Sequence, residues 1–243
     1  MMQIFKEISE LSHAAAGIFV QTARQAVAEH GRFTVALTGG SSPVQLYTLL
    51  AQTPYREQVP WLQTFVYWGD ERWVPLTDER SNAKMAFETL LNKVPIPTEQ
   101  IFPMGGEGGA ATFALQYEIR LKDHFKTPTP QFDLILLGMG DDGHTASLFP
   151  GTAVLQEKEK YVQAYFLEPQ QMYRITLTAP CINQAKKIIF ITYGEKKAKA
   201  LYEVLKGEWN PTQYPSQLIQ PQIGETEWLV DEAAASLLTK NQN

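Results

Sequence analysis

The stretch FDLILLGMGDDGHTASLFPG, Phe132 to Gly151, decides how the rest of the chain is read. It opens on the apolar run Leu134 to Leu137, flanked by Phe132 and stopped by glycine. A run that short and apolar predicts a strand buried on both faces, the strand type of a parallel sheet. Apolar character then ends abruptly. Gly138, Gly140 and Gly143 permit tight turns and a close approach to a ligand. Asp141, Asp142 and His144 stand among them, and Thr145 to Leu148 predict a helical turn ended by Pro150 and Gly151. In open parallel sheets, ligands bind beyond the carboxyl ends of the strands, where this histidine falls. Gly138, Gly140 and Gly143 also satisfy the letters of a dinucleotide-binding fingerprint. That fingerprint needs a full helix next and an N-terminus open to pyrophosphate. Two aspartates occupy that place, so a catalytic loop is the better reading.

Working outward, the strand Phe33 to Leu37 leads into Thr38-Gly39-Gly40-Ser41-Ser42-Pro43. Ser42 is the expected N-cap and Pro43 the first residue of a helix to Ala51. Glycines and hydroxyls at such a turn make an anion site, with backbone N–H groups and helix dipole favouring negative charge. No Gly-Lys-Ser/Thr ending follows, so a monophosphate suits it better than a nucleotide. Trp61 to Trp68 predicts the next strand, ending in the charged loop Gly69-Asp70-Glu71-Arg72. Arg72 suits a phosphate or a polarised carbonyl, with Asp70 or Glu71 to position it. Arg174-Ile175-Thr176-Leu177-Thr178 alternates as a strand does, Arg174 being a ligand or an edge charge. Lys187 to Thr192 predicts a further buried strand. The helix after it, from Lys196, sets Lys197 near a possible anion. Residues 4 to 30 have helical spacing, and Glu227 to Val230 predicts a last strand followed by a helix capped by Asp231.

Strands alternating with helices imply a Rossmann-like, doubly wound, mostly parallel α/β sheet with helices on both faces, in one domain over 1–243. The 243 residues carry 26 acidic and 21 basic side chains, a net charge of -5. That balance argues against nucleic-acid binding. No apolar run reaches membrane-spanning length. The single cysteine, Cys181, fits a reducing, cytoplasmic setting. The four histidines lack metal-ligand spacing, so no metal is expected and a lone base at 144 is the alternative.

The blocks around residues 37–43, 69–75, 81–82 and 138–151 resemble the 6-phosphogluconolactonases. So do Arg174 to Thr178, Gly194-x-x-Lys197-Ala198 and Trp228-x-x-Asp231. These enzymes share a fold with glucosamine-6-phosphate deaminases and ribose-5-phosphate isomerases. The resemblance runs nearly the whole chain, in the family's order. A deaminase typically continues the central motif into Ile-Ala-Phe-Asn-Glu-Pro. Here Phe149 stands where that acid would be, and Arg72 replaces the deaminase's tyrosine. The resemblance implies hydrolysis of 6-phosphoglucono-δ-lactone in the oxidative pentose phosphate pathway, with no cofactor and a small phosphorylated lactone as partner. It implies His144 as general base, oriented directly or through the water by Asp142 or Asp70. Arg72 would serve the carbonyl or the phosphate, and Gly39, Gly40, Ser41, Ser42, Arg174 and Lys197 would bind phosphate. A monomer or weak homo-oligomer is expected. A sugar-phosphate-binding module without catalysis is the alternative from another class.

Overall fold

The computed structural model describes residues 1–106, 108–127 and 129–240, without the side chain of Lys240. The expected domain's last residues, 241–243, lie outside the described residues, as do Glu107 and Pro128.

Among the described residues, nine strands form two sheets. The large sheet holds β1 (Met2–Phe5), β2 (Phe33–Leu37), β3 (Thr64–Trp68), β5 (Leu134–Gly138), β8 (Lys187–Thr192) and β9 (Glu225–Asp231). Their order is β1-β9-β8-β5-β2-β3, and every pairing is parallel. All five residues of β2 are buried, as are four of the five in β5. Successive side chains point to opposite faces, so both faces of the sheet are covered and the doubly wound expectation holds. From β2 the chain steps to β3 on one side; it then crosses to β5 on the other. The order reverses between β2 and β5, and a crevice opens there beyond their carboxyl ends.

A second sheet, β4 (Asp70–Arg72), β7 (Met172–Leu177) and β6 (Val162–Leu167), is antiparallel in the order β4-β7-β6. The expected charged loop at 70–72 is therefore a strand. Its ladder to β7 pairs Asp70 with Thr176 and Arg72 with Arg174. Charged residues mask β character in a three-residue segment, because strand formation here comes from pairing rather than propensity.

The main helices are α1 (Ile8–His30), α2 (Val44–Leu50), α4 (Asn82–Thr89), α5 (Ala110–Phe125) and α7 (Ala198–Lys206); α3 (Tyr55–Gln58), α6 (Ala179–Ile182) and α8 (Ser236–Lys240) are short. Gly31, at φ 81°, ends α1 as expected, its N–H donating to the Val27 carbonyl. Several details differ from the sequence reading. Ile4 lies in β1, not in the first helix, because β9 supplies a parallel neighbour. Trp61–Gln63 form a 3₁₀ turn ahead of β3. Ser42 makes no capping bond; Pro43 occupies that position, and Val44 N donates to the Ser41 carbonyl. Thr145 to Leu148 form no helix: Ala146 sits at φ 46° and the chain folds back so that Leu148 N bonds the Thr145 carbonyl. Asp231 ends β9 and does not cap the last helix, which begins at Ser236; it accepts from Ala234 N in the turn at 232–235, and also from Gly194 N.

Candidate active site

The loop after β2 forms one wall of the crevice. Its base is fixed by the buried Tyr47 hydroxyl, which accepts from Thr38 N and donates to the Thr38 carbonyl. Its outer part is tied by Tyr193, whose hydroxyl donates to the Ser41 carbonyl at 3.1 Å. Gly40 has φ 77°, a conformation that favours glycine. Among the described residues, no protein acceptor takes the N–H groups of Gly39 to Ser42 or the two serine hydroxyls. These donors are free for an anion.

Asn82, at the first turn of α4, couples this loop to β4. A Cβ on Gly39 would lie 1.9 Å from the Asn82 amide, so only glycine fits. Asn82 Oδ1 accepts from Arg72 Nη1 at 2.5 Å, and Nδ2 donates to the Asp70 carbonyl at 2.9 Å. A second bond joins Arg72 Nη1 to the Arg80 carbonyl. Beneath them Glu71 is fully buried, accepting from Arg72 N, Asn82 N, Ala83 N and the Ser81 hydroxyl. Burial raises its carboxyl to about 7, against the pull of those donors. Ser81 caps α4, its hydroxyl accepting from Lys84 N.

The loop after β5 forms the opposite wall. Asp142 Oδ1 lies 2.6 Å from His144 Nδ1 and accepts from His144 N at 3.1 Å. Burial raises the Asp142 pKa, but its bonds to His144 and the histidine's charge outweigh this and hold the carboxyl below its ordinary range. A Cβ at Gly140 would fall 2.1 Å from His144 Nδ1, so glycine is required beside the pair. Ser216 anchors the loop from outside, its N–H and hydroxyl both donating to the Gly143 carbonyl. The imidazole stacks on Phe149.

Asp70 does not touch the histidine. Its carboxylate accepts from the Ser147 hydroxyl at 2.5 Å and lies 4.0 Å from Arg174 Nη1. Arg174 is 4% exposed, donates to Gln170 and lies over the Phe149 ring. Lys197 pairs with Asp141 at 2.6 Å.

Gly39, Gly40, Ser41, Ser42, Asp70, Arg72, His144, Arg174 and Lys197 thus line one cavity of about 240 Å³, with Asp142 outside its lining. Asn82, Phe149 and Gln170 also line it. The sequence reading quoted Asn82 and Phe149 only as motif letters and passed over Gln170. The Ser81-Asn82 dipeptide at a helix start was the available signal for Asn82; nothing local marks Gln170. Among the described residues no group of three histidine, cysteine or acidic side chains converges as metal ligands do.

Residues 6–228 match the model of the glucosamine-6-phosphate isomerases/6-phosphogluconolactonase family. The chain belongs to this family. A relative from Synechocystis sp., named 6-phosphogluconolactonase, is 42% identical over 218 residues, covering 88% of each chain. One of the same name from Nostoc sp. is 40% identical over 218 residues, again 88% of each. The solved structure of 6-phosphogluconolactonase from Trypanosoma brucei superposes with a TM-score of 0.85 at 27% identity, covering 98% of both chains. These relatives are enzymes by name.

Proposed function

We propose that the chain, as one α/β domain, hydrolyses 6-phosphoglucono-δ-lactone to 6-phosphogluconate, as the named relatives do. The reaction belongs to the oxidative pentose phosphate pathway. One observation carries the reading: a carboxylate–imidazole pair faces, across a single cavity, a loop of free N–H and hydroxyl donors flanked by Arg72, Arg174 and Lys197.

In this reading the 6-phosphate rests on Gly39 to Ser42 with Arg72, because Asn82 joins Arg72 to Gly39. Arg174 and Lys197 supply the rest of a positive field that favours the phosphate and the developing oxyanion alike. The Asp142 contact sets the proton of neutral His144 on Nδ1 and leaves the Nε2 lone pair as base. Nε2 takes a proton from water as the water oxygen bonds to the lactone carbonyl carbon. The tetrahedral intermediate collapses, breaking the bond to the ring oxygen, which receives the proton back from Nε2. The products are a carboxylic acid, ionised at neutral pH, and a free hydroxyl. Asp142, by contact, orients the base; Asp70 acts at a distance, holding Ser147 and balancing Arg174.

The test is the decay of lactone generated in situ, compared among wild type, His144→Ala and no protein. Wild type is expected to accelerate decay, and the variant to lose about 10²–10⁴-fold, the usual contribution of a general base. Near-normal turnover in His144→Ala removes the histidine from its role. No acceleration by wild type removes the activity.

A further inference from the structure

Phe149 touches both the imidazole of His144 and the Arg174 cation. Its ring lies 4.0 Å from the His144 imidazole, centroid to centroid, at an interplanar angle of 23°. The Arg174 guanidinium carbon is 5.5 Å from the same ring centroid. Four residues separate His144 from Phe149, and a helix or strand would not stack them in this way. The stack depends on the reversal at Ala146, whose φ of 46° is unusual for a residue with a side chain. That reversal is held from three sides. The Ser147 hydroxyl donates to Asp70, Ser147 N donates to the Thr176 hydroxyl at 3.2 Å, and the Tyr165 hydroxyl donates to the Ser147 carbonyl at 2.7 Å. Thr152 fixes the far side, its hydroxyl donating to the Phe149 carbonyl. A strained turn braced by a buried network marks a position whose geometry is used.

We infer that Phe149 is a positioning residue for His144, an inference that rests on the proposed role of His144 as base. Asp142 holds the imidazole by one edge only. A single bond at Nδ1 leaves the ring free to tilt about that contact, and a tilt displaces Nε2 from the attacking water. The Phe149 face removes the tilt. It also serves the second half of the reaction. When His144 carries the water's proton it is a cation stacked on the same ring that Arg174 contacts, and the π density of that ring favours both charges.

Two substitutions separate this role from simple packing. Phe149→Leu keeps an apolar side chain and removes the π face; Phe149→Tyr keeps the face. In lactone hydrolysis, Phe149→Leu is expected to lower kcat about tenfold with KM little changed, the scale of one cation–π contact, and Phe149→Tyr to keep most of the activity. In proton NMR, with His144→Ala to assign the signals, the His144 ring protons are expected to move downfield in Phe149→Leu as the ring current is lost. If Phe149→Leu does not fold, Phe149→Met, which fills irregular space, takes its place. Unchanged kcat, or a raised KM with unchanged kcat, overturns the inference while the lactonase reading stands. Wild-type protein that leaves the lactone at its spontaneous rate overturns both.

Discussion

Arg72 and Arg174 stand directly opposite each other on β4 and β7, two like charges in register on adjacent strands. Such pairs are unfavourable unless a counter-charge lies near. Asp70 serves Arg174, while Arg72 has only neutral acceptors on Nη1. Burial makes it harder for Arg174 to hold its proton; Asp70 opposes this and Arg72 adds to it. An anion in the cavity relieves the repulsion. Arg72→Gln is therefore expected to raise KM for the phosphorylated lactone about ten- to a hundredfold, the scale of a charged hydrogen bond, with a smaller change in kcat. Steady-state kinetics at low and high salt check this, and the variant should lose part of the salt dependence.

Under the proposed function, two glycines allow binding and catalysis to be separated without replacing a charged residue. A Cβ at Gly140 meets the His144–Asp142 pair, and one at Gly39 meets Asn82. Gly140→Ala is expected to lower kcat about tenfold or more, because the base loses its orientation. Gly39→Ala should instead act mainly on KM, by displacing the amide that holds Arg72. Kinetics of the two variants side by side, with thermal unfolding as the control for folding, distinguish these outcomes.

Glu71 gives the fold a pH dependence of definite sign. Its carboxyl rises from 4.5 to about 7 on folding, so between those values the folded chain holds a proton that the unfolded chain has released. This contribution is complete below pH 4.5 and is lost as pH rises through 7. At about 1.4 kcal/mol per pKa unit the full effect is about 3 kcal/mol. Urea unfolding at pH 5 and pH 8 should show wild type losing stability across that interval and Glu71→Gln losing less. Equal losses in both proteins would place the titration elsewhere.

Asp133 provides a control at the other end of the sheet. It precedes β5 and is 2% exposed. It accepts from Thr34 N and Thr34 Oγ1, and contacts His30 Nε2 and Lys186 Nζ, each at 2.9 Å. One carboxylate thereby ties the end of α1 to the starts of β2, β5 and β8. Asp133→Asn is expected to lower stability by about 2 kcal/mol, as two charged contacts are weakened and an amide faces backbone donors. Melting temperature should fall while kcat at 25 °C stays unchanged.

The alternation of short apolar runs with helical spacing determined the fold class, because burial on both faces leaves its mark in each strand separately. The glycine and acid cluster at 138–144 determined one wall of the polar cavity, since tight turns and ionisable groups are local properties. Tertiary structure decided what depends on pairing between distant segments. Asp70 to Arg72 are a strand only because β7 lies beside them, and Ile4 joins the sheet only because β9 does. The same long-range packing separated the two aspartates that the sequence left equivalent. Asp142 reaches His144 across the single residue Gly143; Asp70, buried against Ser147 and Arg174, is directed to a different wall of the cavity. Residue spacing carries the first kind of information. The second exists only once loops from β2, β3, β5, β7 and β8 meet beyond the sheet, each bringing side chains whose neighbours lie tens of residues away.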